Sequence, residues 1–349
     1  MDLEQLIIES AAQKVSDIHL ICGLPPMLRL DGEITPMQDV PPLTDEDCTA
    51  YARMLAGDLF DKLEKICELD LARSFGSVRI RINIFRQQGH FSAALRILNE
   101  QIPALKALGL PPAVLNFPSI SRGIVLVTGE TGSGKSTTLA AILNCINTTR
   151  QGHIITLEDP IEYIHKPVLC AINQREVGSD TASYADGLRA VLREDPDVIL
   201  IGEMRDLITI ETALTAAETG HLVFATLHTC SAADSIDRIV DVFPAERQGQ
   251  VRMQLSITLQ AVLSQQLLPK KSGGRIAACE VMVVSSAIRN LIRGGKTPQI
   301  ANSLATSAEL GSISMDNALL KLLREAEITQ ETAISAAHDQ EYVKKSLPH

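Results

Sequence analysis

The sequence contains no tryptophan, and its 349 residues include only four tyrosines and seven phenylalanines. Acidic residues outnumber basic residues by 42 to 32, which gives a formal net charge of -10. Proteins that bind single-stranded nucleic acid stack bases on aromatic rings and hold the backbone in a basic groove, and this composition offers little of either. The composition therefore disfavours a nucleic-acid partner.

The seven cysteines are scattered and form no Cys-x-x-Cys pair, so we expect reduced thiols rather than a disulfide framework or a zinc knuckle. No apolar run approaches the roughly 18 residues that a membrane-spanning helix needs. The amino terminus, MDLEQLIIESAAQK, begins with acidic residues and lacks the apolar core of a signal peptide. We therefore expect a soluble cytoplasmic protein with no membrane insertion.

Hydrophobic patterns predict a small α+β domain over residues 1–100, followed by a linker. The run SVRIRINIF at 77–85 alternates apolar residues with arginines, which is typical of a half-buried strand. The stretch 101–120 contains four prolines, a composition typical of a linker.

Residues 121–349 are predicted to form an α/β domain with a parallel sheet at its core. Short β-branched runs alternate here with helical stretches, the pattern of βαβ units. These runs lie at 124–129, 153–159, 197–203 and 221–228. From about 231 to 349 the pattern is mostly helical, and the longest predicted helix spans 246–269.

The strongest chemical signal is GETGSGKS, which fits the P-loop pattern G-x-x-x-x-G-K-[ST] in full, between a predicted strand and a predicted helix. Glycines let backbone N–H groups turn toward phosphates, and the helix that follows adds its positive end. Lys135 is expected to reach the β- and γ-phosphates of ATP, and Ser136 to hold Mg²⁺. The predicted nucleotide-binding residues of this loop are Gly129, Glu130, Thr131, Gly132, Ser133, Gly134, Lys135, Ser136 and Thr137.

Further predicted site residues lie where the parallel strands end. The ligand of an open α/β sheet binds at the carboxyl ends of its strands, and Glu158, Glu203 and His228 each end a predicted strand. His221 begins its strand, about 20 Å from His228 at roughly 3.3 Å per residue. The two histidines therefore cannot share one metal ion, and His221 is predicted to have a structural or interface role.

Chemical roles follow from the charges that ATP hydrolysis requires. Glu203 follows the apolar run VILIG and is predicted to polarise the attacking water or to bind Mg²⁺ through water. Gly202 occupies the position where a Walker B aspartate would bind Mg²⁺. We therefore expect Ser136 to hold the ion, with Glu203 or Glu162 acting through water, and His228 to sense the γ-phosphate.

Together these motifs resemble those of the secretion and twitching-motility ATPases over nearly the whole chain. The amino-terminal block SDIHLICGLPPMLRLDGEI, the Asp box ITLEDPIEY, the atypical Walker B motif ILIGEMRD and the His box GHLVFATLHT are all similar to family motifs. The segment AIRNLIRGGK at 287–296 is similar to a short motif of the members that retract type IV pili, with Gly294 where an acidic residue is usual.

The resemblance implies a PAS-like amino-terminal domain, a RecA-like ATPase domain and a homohexameric ring that hydrolyses ATP with Mg²⁺. It implies a place at the cytoplasmic face of the inner membrane, where the ring acts with a platform protein and the pilus machinery to disassemble and retract pili. It also returns His221 to the nucleotide site as a member of the His box. It further implies that arginines of the amino-terminal domain reach the nucleotide, and Arg81 and Arg96 are the candidates.

Other functions remain open on the sequence alone. An extension, secretion or conjugation ATPase of the same family would usually carry a four-cysteine zinc element, and no such cysteine spacing occurs here. A motor that moves nucleic acid would need a basic channel with aromatic residues. A nucleotide-dependent assembly module without turnover would have no need of Glu203.

Overall fold

The computed structural model describes residues 2–30, 32–98, 101–306 and 308–347. The chain forms two compact units. The first unit comprises Met1–Gln101 and Pro160–Ile164, and the second unit comprises Ile102–Asp159 and His165–His349.

The first unit is an α+β domain built on a sheet that has six antiparallel strands among the described residues. Its helices are α1 (Leu3–Ala12), α2 (Asp45–Ala56) and α3 (Phe60–Ile66). Its strands are β1 (Asp17–Leu20), β2 (Met27–Leu30), β3 (Glu33–Pro36), β4 (Glu68–Phe75), β5 (Val78–Gln87) and β6 (His90–Leu98). The strand order is β3-β2-β1-β6-β5-β4. Ile80, Ile82 and Ile84 of β5 are fully buried, as the alternating sequence predicts.

The second unit is an α/β domain whose central sheet has helices on both sides. Its strands are β7 (Gly123–Thr128), β8 (Gly152–Glu158), β9 (Cys170–Glu176), β10 (Val198–Ile201), β11 (Leu222–Leu227), β12 (Leu259–Pro269) and β13 (Arg275–Val283). Its helices are α4 (Lys135–Thr149), α5 (Tyr184–Val191), α6 (Leu207–Glu218), α7 (Ala232–Asp241), α8 (Ala245–Thr258), α9 (Ser286–Arg293), α10 (Ile300–Thr306), α11 (Met315–Arg324), α12 (Gln330–Ala336) and α13 (Gln340–Lys345).

The strands of this sheet lie in the order β13-β12-β7-β11-β10-β8-β9. Every neighbouring pair is parallel except β12 and β13. All residues of β7, β10 and β11 are buried, because helices cover both faces of the sheet, and this explains the continuous apolar runs in the sequence. The predicted parallel-sheet core is confirmed.

Residues 102–120, within the stretch whose prolines predict a linker, belong to the second unit. They form 3-10 turns at Leu105–Leu108 and Pro112–Ser119. Leu105, Val114 and Phe117 are buried in the core that β7 and α4 share. Proline is compatible with such turns. A proline-rich composition therefore does not distinguish a linker from an irregular segment that is packed into the core.

The predicted helix over 246–269 is wrong in its second half. Helix α8 ends at Thr258, and the chain continues directly as β12, which pairs with β7 and β13. The strand is buried along most of its length, but its sequence, LQAVLSQQLLP, mixes apolar residues with one serine and three glutamines and lacks the alternation that marks a half-exposed strand. No glycine or proline separates the two elements, which is why the pattern reads as one helix.

A buried carboxylate on β13 joins two helices to the sheet. Glu280 is 4% exposed, and it accepts hydrogen bonds from the backbone N–H groups of Ala232 at 2.8 Å and Met315 at 3.3 Å. These residues begin α7 and α11, where N–H groups have no partner within the helix. Burial raises the pKa of Glu280, and the two backbone hydrogen bonds act in the opposite direction.

We expect Glu280→Ala to lower the melting temperature of the second unit. The N–H groups of Ala232 and Met315 would then be buried without an acceptor, at a cost of about 1–3 kcal/mol each. Because about 1 kcal/mol shifts the midpoint of a domain of this size by about 2–4 °C, calorimetry should show a drop of about 5 °C or more.

The matched control is Glu246→Ala, which removes an exposed acid from the first turn of α8 and should change the midpoint little. Equal midpoints for the two variants would show that Glu280 does not hold the helices.

Candidate active site

The P-loop lies between the carboxyl end of β7 and the amino end of α4. Gly129 opens the loop with a φ of 139°, a conformation that residues with a Cβ rarely adopt. A Cβ at this position would also collide with the carbonyl oxygen of Gln265 and lie 2.7 Å from Ser133 Oγ. The predicted strand–loop–helix setting of the motif is therefore what the structure contains.

Lys135 and Ser133 present polar groups inside this loop. The Lys135 ammonium donates to the carbonyl oxygens of Gly129 at 2.6 Å and Glu130 at 2.9 Å, across the concave side of the loop. Ser133 Oγ is buried and has no hydrogen-bond partner within the described part of the chain. Buried hydroxyls are usually hydrogen-bonded, so this orphaned group fits a loop that receives phosphate oxygens. Ser136, at the start of α4, is exposed, and Thr137 is partly exposed.

Glu203 and His228 meet at the carboxyl ends of the neighbouring strands β10 and β11. Glu203 Oε1 lies 3.3 Å from His228 Nε2 and 2.6 Å from Arg205 Nε. Burial raises the pKa of Glu203, but the hydrogen bond from Arg205 and the charges of His228 and Arg205 outweigh burial and hold that pKa below its usual value. The carboxylate is therefore ionised at neutral pH, with a cation on one side and an imidazole on the other.

Gly202 has no room for a side chain. A Cβ there would lie 2.7 Å from Tyr184 Oη, 3.1 Å from the carbonyl oxygen of Leu157 and 3.3 Å from Glu158 Cα. The Gly202 carbonyl oxygen accepts a hydrogen bond from the Thr226 hydroxyl of β11. An aspartate cannot occupy this position without displacing β8 or α5, which gives the unusual Walker B sequence a steric cause.

Glu158, at the end of β8, is held by neutral donors. Its Oε1 accepts from Thr156 Oγ1 at 2.6 Å and from Gln174 Nε2 at 3.1 Å. Gln174 Oε1 in turn accepts from the backbone N–H of His165 at 2.7 Å. The carboxylate is thus fixed toward β9. Glu162 belongs to the segment Pro160–Ile164 of the first unit.

His221 and His228 lie at opposite ends of β11. It precedes β11, whose first residue, Leu222, pairs with Gly123 at the start of β7. His221 Nδ1 is 2.9 Å from the carbonyl oxygen of Ala216 and 3.1 Å from Thr219 Oγ1. It lines a polar cavity of about 300 Å³ with Arg150, Asp197 and others. The structure therefore places His221 away from the P-loop.

The two arginines predicted from the first unit are cross-strand neighbours. Arg81 of β5 is paired directly with Arg96 of β6, and like charges in this position repel. Arg96 Nε binds Asp17 Oδ1 at 2.9 Å. On the same face of β5, Arg79 Nε donates to the carbonyl oxygen of Ile161 at 3.4 Å. Arg96 is thus tied within its own sheet by an acidic partner.

A cavity of about 500 Å³ adjoins the P-loop and was not anticipated from the sequence. Ser133, Gly134 and Thr137 form its P-loop side. Its other walls come from the turn at 107–110, from β12, β13 and the segment between them, and from the segment after α11. They present the apolar side chains of Leu108, Leu267 and Ile276 and the polar side chains of Lys270, Arg275 and Glu327. These segments lie far apart in the sequence, so no local pattern indicates that they form one pocket.

The segment AIRNLIRGGK forms α9, which is anchored to α8. Ile288 and Ile292 are buried, and Leu291 packs against the same core while partly exposed. Arg289 Nη1 donates to the carbonyl oxygens of Ser256 at 2.7 Å and Ile257 at 2.8 Å, at the carboxyl end of α8, where such groups lack helical partners. Arg293, four residues later on the same helix, is exposed, so the two arginines of α9 have different environments.

Known proteins match this chain over nearly its whole length. The family of type II/IV secretion system proteins matches residues 68–333. The chain is 47% identical over 335 residues to the type IV pilus retraction ATPase PilT of Pseudomonas aeruginosa, with 95% of this chain and 97% of that protein covered. It is 43% identical over 342 residues to a twitching motility protein of Neisseria gonorrhoeae, with 96% and 90% covered. The crystal structure of the pilus retraction motor PilT with bound ADP has a TM-score of 0.93, 47% identity and 99% coverage of both chains.

We expect Gly202→Ala to lower the melting temperature of the second unit and the rate of ATP hydrolysis together. The added Cβ must push against Tyr184 Oη and shift the strand end that carries Glu203, and overpacking of this kind costs about 1–3 kcal/mol.

The double variant Gly202→Ala, Tyr184→Phe removes the closest contact and should recover part of both losses, while Tyr184→Phe alone serves as the control. A double variant as impaired as Gly202→Ala would place the strain elsewhere.

Proposed function

This chain belongs to the family of type II/IV secretion system proteins, and on that premise we propose that it is a motor ATPase of the pilus-retraction type. It would hydrolyse ATP with Mg²⁺ as a homohexamer at the cytoplasmic face of the inner membrane, acting on a platform protein to disassemble and retract type IV pili. The observation that carries the proposal is the P-loop of β7 in the same parallel sheet as Glu203 and His228, all at strand carboxyl ends, in a chain that matches PilT over nearly its whole length.

The P-loop residues supply the binding of the phosphates. Lys135 would exchange the carbonyl oxygens of Gly129 and Glu130 for β- and γ-phosphate oxygens, which carry more charge. Ser133 Oγ and the backbone N–H groups at the start of α4 would donate to the remaining oxygens. Ser136 would bind Mg²⁺, which when present neutralises charge that develops on the phosphates.

Glu203 is the group best suited to activate water. Its carboxylate is ionised and lies at the carboxyl end of β10, next to β11. His228 contacts this carboxylate at 3.3 Å, so an interaction of His228 with the γ-phosphate would be transmitted to Glu203. Since the exposed Arg205 binds the same carboxylate oxygen, the carboxylate would have to share or release this partner when it accepts a proton. Gly202 leaves the Mg²⁺ ligands to Ser136 and, through water, to Glu203 or Glu162.

The cavity beside the P-loop would hold the nucleoside. Its volume of about 500 Å³ suits a ligand of that size. Leu108, Leu267 and Ile276 offer apolar surface for a base, and Lys270, Arg275 and Glu327 offer polar groups for its edges or for the ribose. The nucleoside would thus bind within the second unit, between β12 and the turn at 107–110.

The arginines of the first unit would complete the site of a neighbouring subunit. Rings use heterologous interfaces, so one subunit can supply a cation to the next. Arg81 is the better candidate, because Arg96 is already paired with Asp17. The repulsion between Arg81 and Arg96 would also be relieved by an anion brought to this face.

We expect Glu203→Gln to bind ATP nearly as well as the wild type but to hydrolyse it at least about 100-fold more slowly, because the amide keeps the shape of the carboxylate and cannot accept a proton. Titration with a slowly hydrolysed analogue measures binding, and phosphate release measures turnover.

Glu246→Gln, which changes an exposed acid in the first turn of α8, is the control and should leave both quantities unchanged. Loss of binding and turnover in equal proportion would make Glu203 a structural or Mg²⁺-holding residue.

Deletion of the gene should leave pili extended and abolish twitching, and the wild-type gene should restore retraction. Lys135→Ala should fail to restore it, because the phosphates lose their cation, whereas Lys65→Ala, which changes an exposed lysine of α3, should succeed.

Retraction can be followed by imaging of labelled pili. Normal retraction in the deletion strain would contradict the proposal, and loss of pilus assembly would instead assign the chain to the extension motors.

A further inference from the structure

Three metal-binding types of side chain from distant parts of the sequence meet in the first unit. Cys22 follows β1, Asp45 is the first residue of α2, and His90 is the first residue of β6. One ligand atom from each lies within 4.8 Å of the other two. Asp45 Oδ1 and His90 Nδ1 are 2.7 Å apart. The cluster shares no residue with the nucleotide site.

A fourth side chain that can bind metal, the thiol of Cys48, lies near the cluster. Cys48 lies three residues after Asp45, so both side chains project from the same face of the first turn of α2. The Cys48 thiol is buried near the thiol of Cys22. One sulfur, one imidazole nitrogen and one carboxylate oxygen thus converge, and a second, buried sulfur lies near the first.

We propose that Cys22, Asp45, Cys48 and His90 bind a single divalent metal ion of borderline softness, such as Zn²⁺. Thiolate, imidazole and carboxylate are the ligands that tetrahedral zinc sites use, and a set with two sulfurs selects against Mg²⁺ and Ca²⁺. The sequence shows no local motif for this cluster, because 22, 2 and 41 residues separate its successive members. Zinc knuckles have much shorter spacings.

Small movements would convert the observed cluster into a coordination sphere. Ligand atoms around tetrahedral zinc are about 3.3–3.8 Å apart, as bond lengths of about 2.0–2.3 Å require. The Asp45–His90 contact would lengthen by less than about 1 Å, and the wider separations of up to 4.8 Å would shorten by a similar amount. His90 and Asp45 are partly exposed, with 44% and 59% of their side chains accessible, so both can turn without disturbing the core.

The local charge also suits a cation. The first turn of α2 carries Asp45, Glu46 and Asp47. Asp47 is engaged in the capping box with Thr44, so it contributes negative potential without competing as a ligand. Binding would release the thiol protons of Cys22 and Cys48, and the two thiolates would offset the charge of the ion. The ion would tie the segment after β1, the start of α2 and the β5–β6 turn to one point.

The test uses the full chain without an affinity tag, treated with a chelator, freed of it, and kept reduced with a phosphine. Cobalt(II) is added as a spectroscopic probe. We expect one equivalent of Co²⁺ to produce intense near-ultraviolet absorption from thiolate-to-metal charge transfer, and one equivalent of Zn²⁺ to abolish it. Excess Mg²⁺ should leave the absorption unchanged.

Variants assign the absorption to the cluster. Cys22→Ser should lose at least half of the charge-transfer intensity, and His90→Gln should weaken Co²⁺ binding at least about 10-fold, a range typical when a metal site loses a supporting interaction. Both residues are partly exposed, so both variants should fold. Cys67→Ser is the control, because Cys67 is an exposed cysteine of the same unit outside the cluster.

The outcomes separate clearly. Full absorption in Cys67→Ser together with loss in Cys22→Ser supports the site, as does a Zn²⁺-dependent rise in melting temperature that His90→Gln removes. No absorption in the reduced wild-type chain overturns it, and so does equal absorption in Cys22→Ser and the wild type.

Discussion

The parallel direction of β7, β11 and β10 is the constraint on which the candidate active site depends. Helices cover both faces of these strands, and the shared strand direction brings the segments that follow the strands to the same end of the sheet. The P-loop, His228 and Glu203 are separated by up to 99 residues in the sequence, from Gly129 to His228. No additional contact between these residues is required to bring them together, because the pairing of the parallel strands already places them at the same end of the sheet.

This constraint also explains how much the sequence could predict. The four strands were predicted because strands buried on both faces leave apolar runs, and the meeting of Glu203 with His228 followed from strand direction alone. Strand β12 was missed because it continues α8 without a turn residue. The walls of the cavity beside the P-loop and the cluster of Cys22, Asp45 and His90 were missed because tertiary folding, rather than spacing, assembles them. The arginines of the first unit and Glu162 stay predictions.

The absence of a side chain at Gly202 connects packing with chemistry. Tyr184 Oη and the carbonyl oxygen of Leu157 fill the space that an aspartate would need, so the sheet is packed more closely here than a direct carboxylate ligand permits. The next residue, Glu203, then carries the negative charge at this strand end. Arg205 and His228 hold it ionised against the effect of burial. This strand end therefore carries one acidic group, and under the proposed function that single side chain would have to activate the attacking water.

The double hydrogen bond of Glu280 bears on where the chain can be divided. Helix α7 begins four residues after His228, while α11 begins at Met315, and one carboxylate accepts a hydrogen bond from the first N–H of both. A fragment that ended between β13 and α11 would keep every strand and every P-loop residue, yet it would leave that carboxylate half satisfied in an opened apolar surface. The carboxyl-terminal helices are therefore part of the smallest piece of this chain that can hold the segment after His228 in place. Expression boundaries, and gene fusions that replace the tail, should be drawn beyond α11 rather than before it.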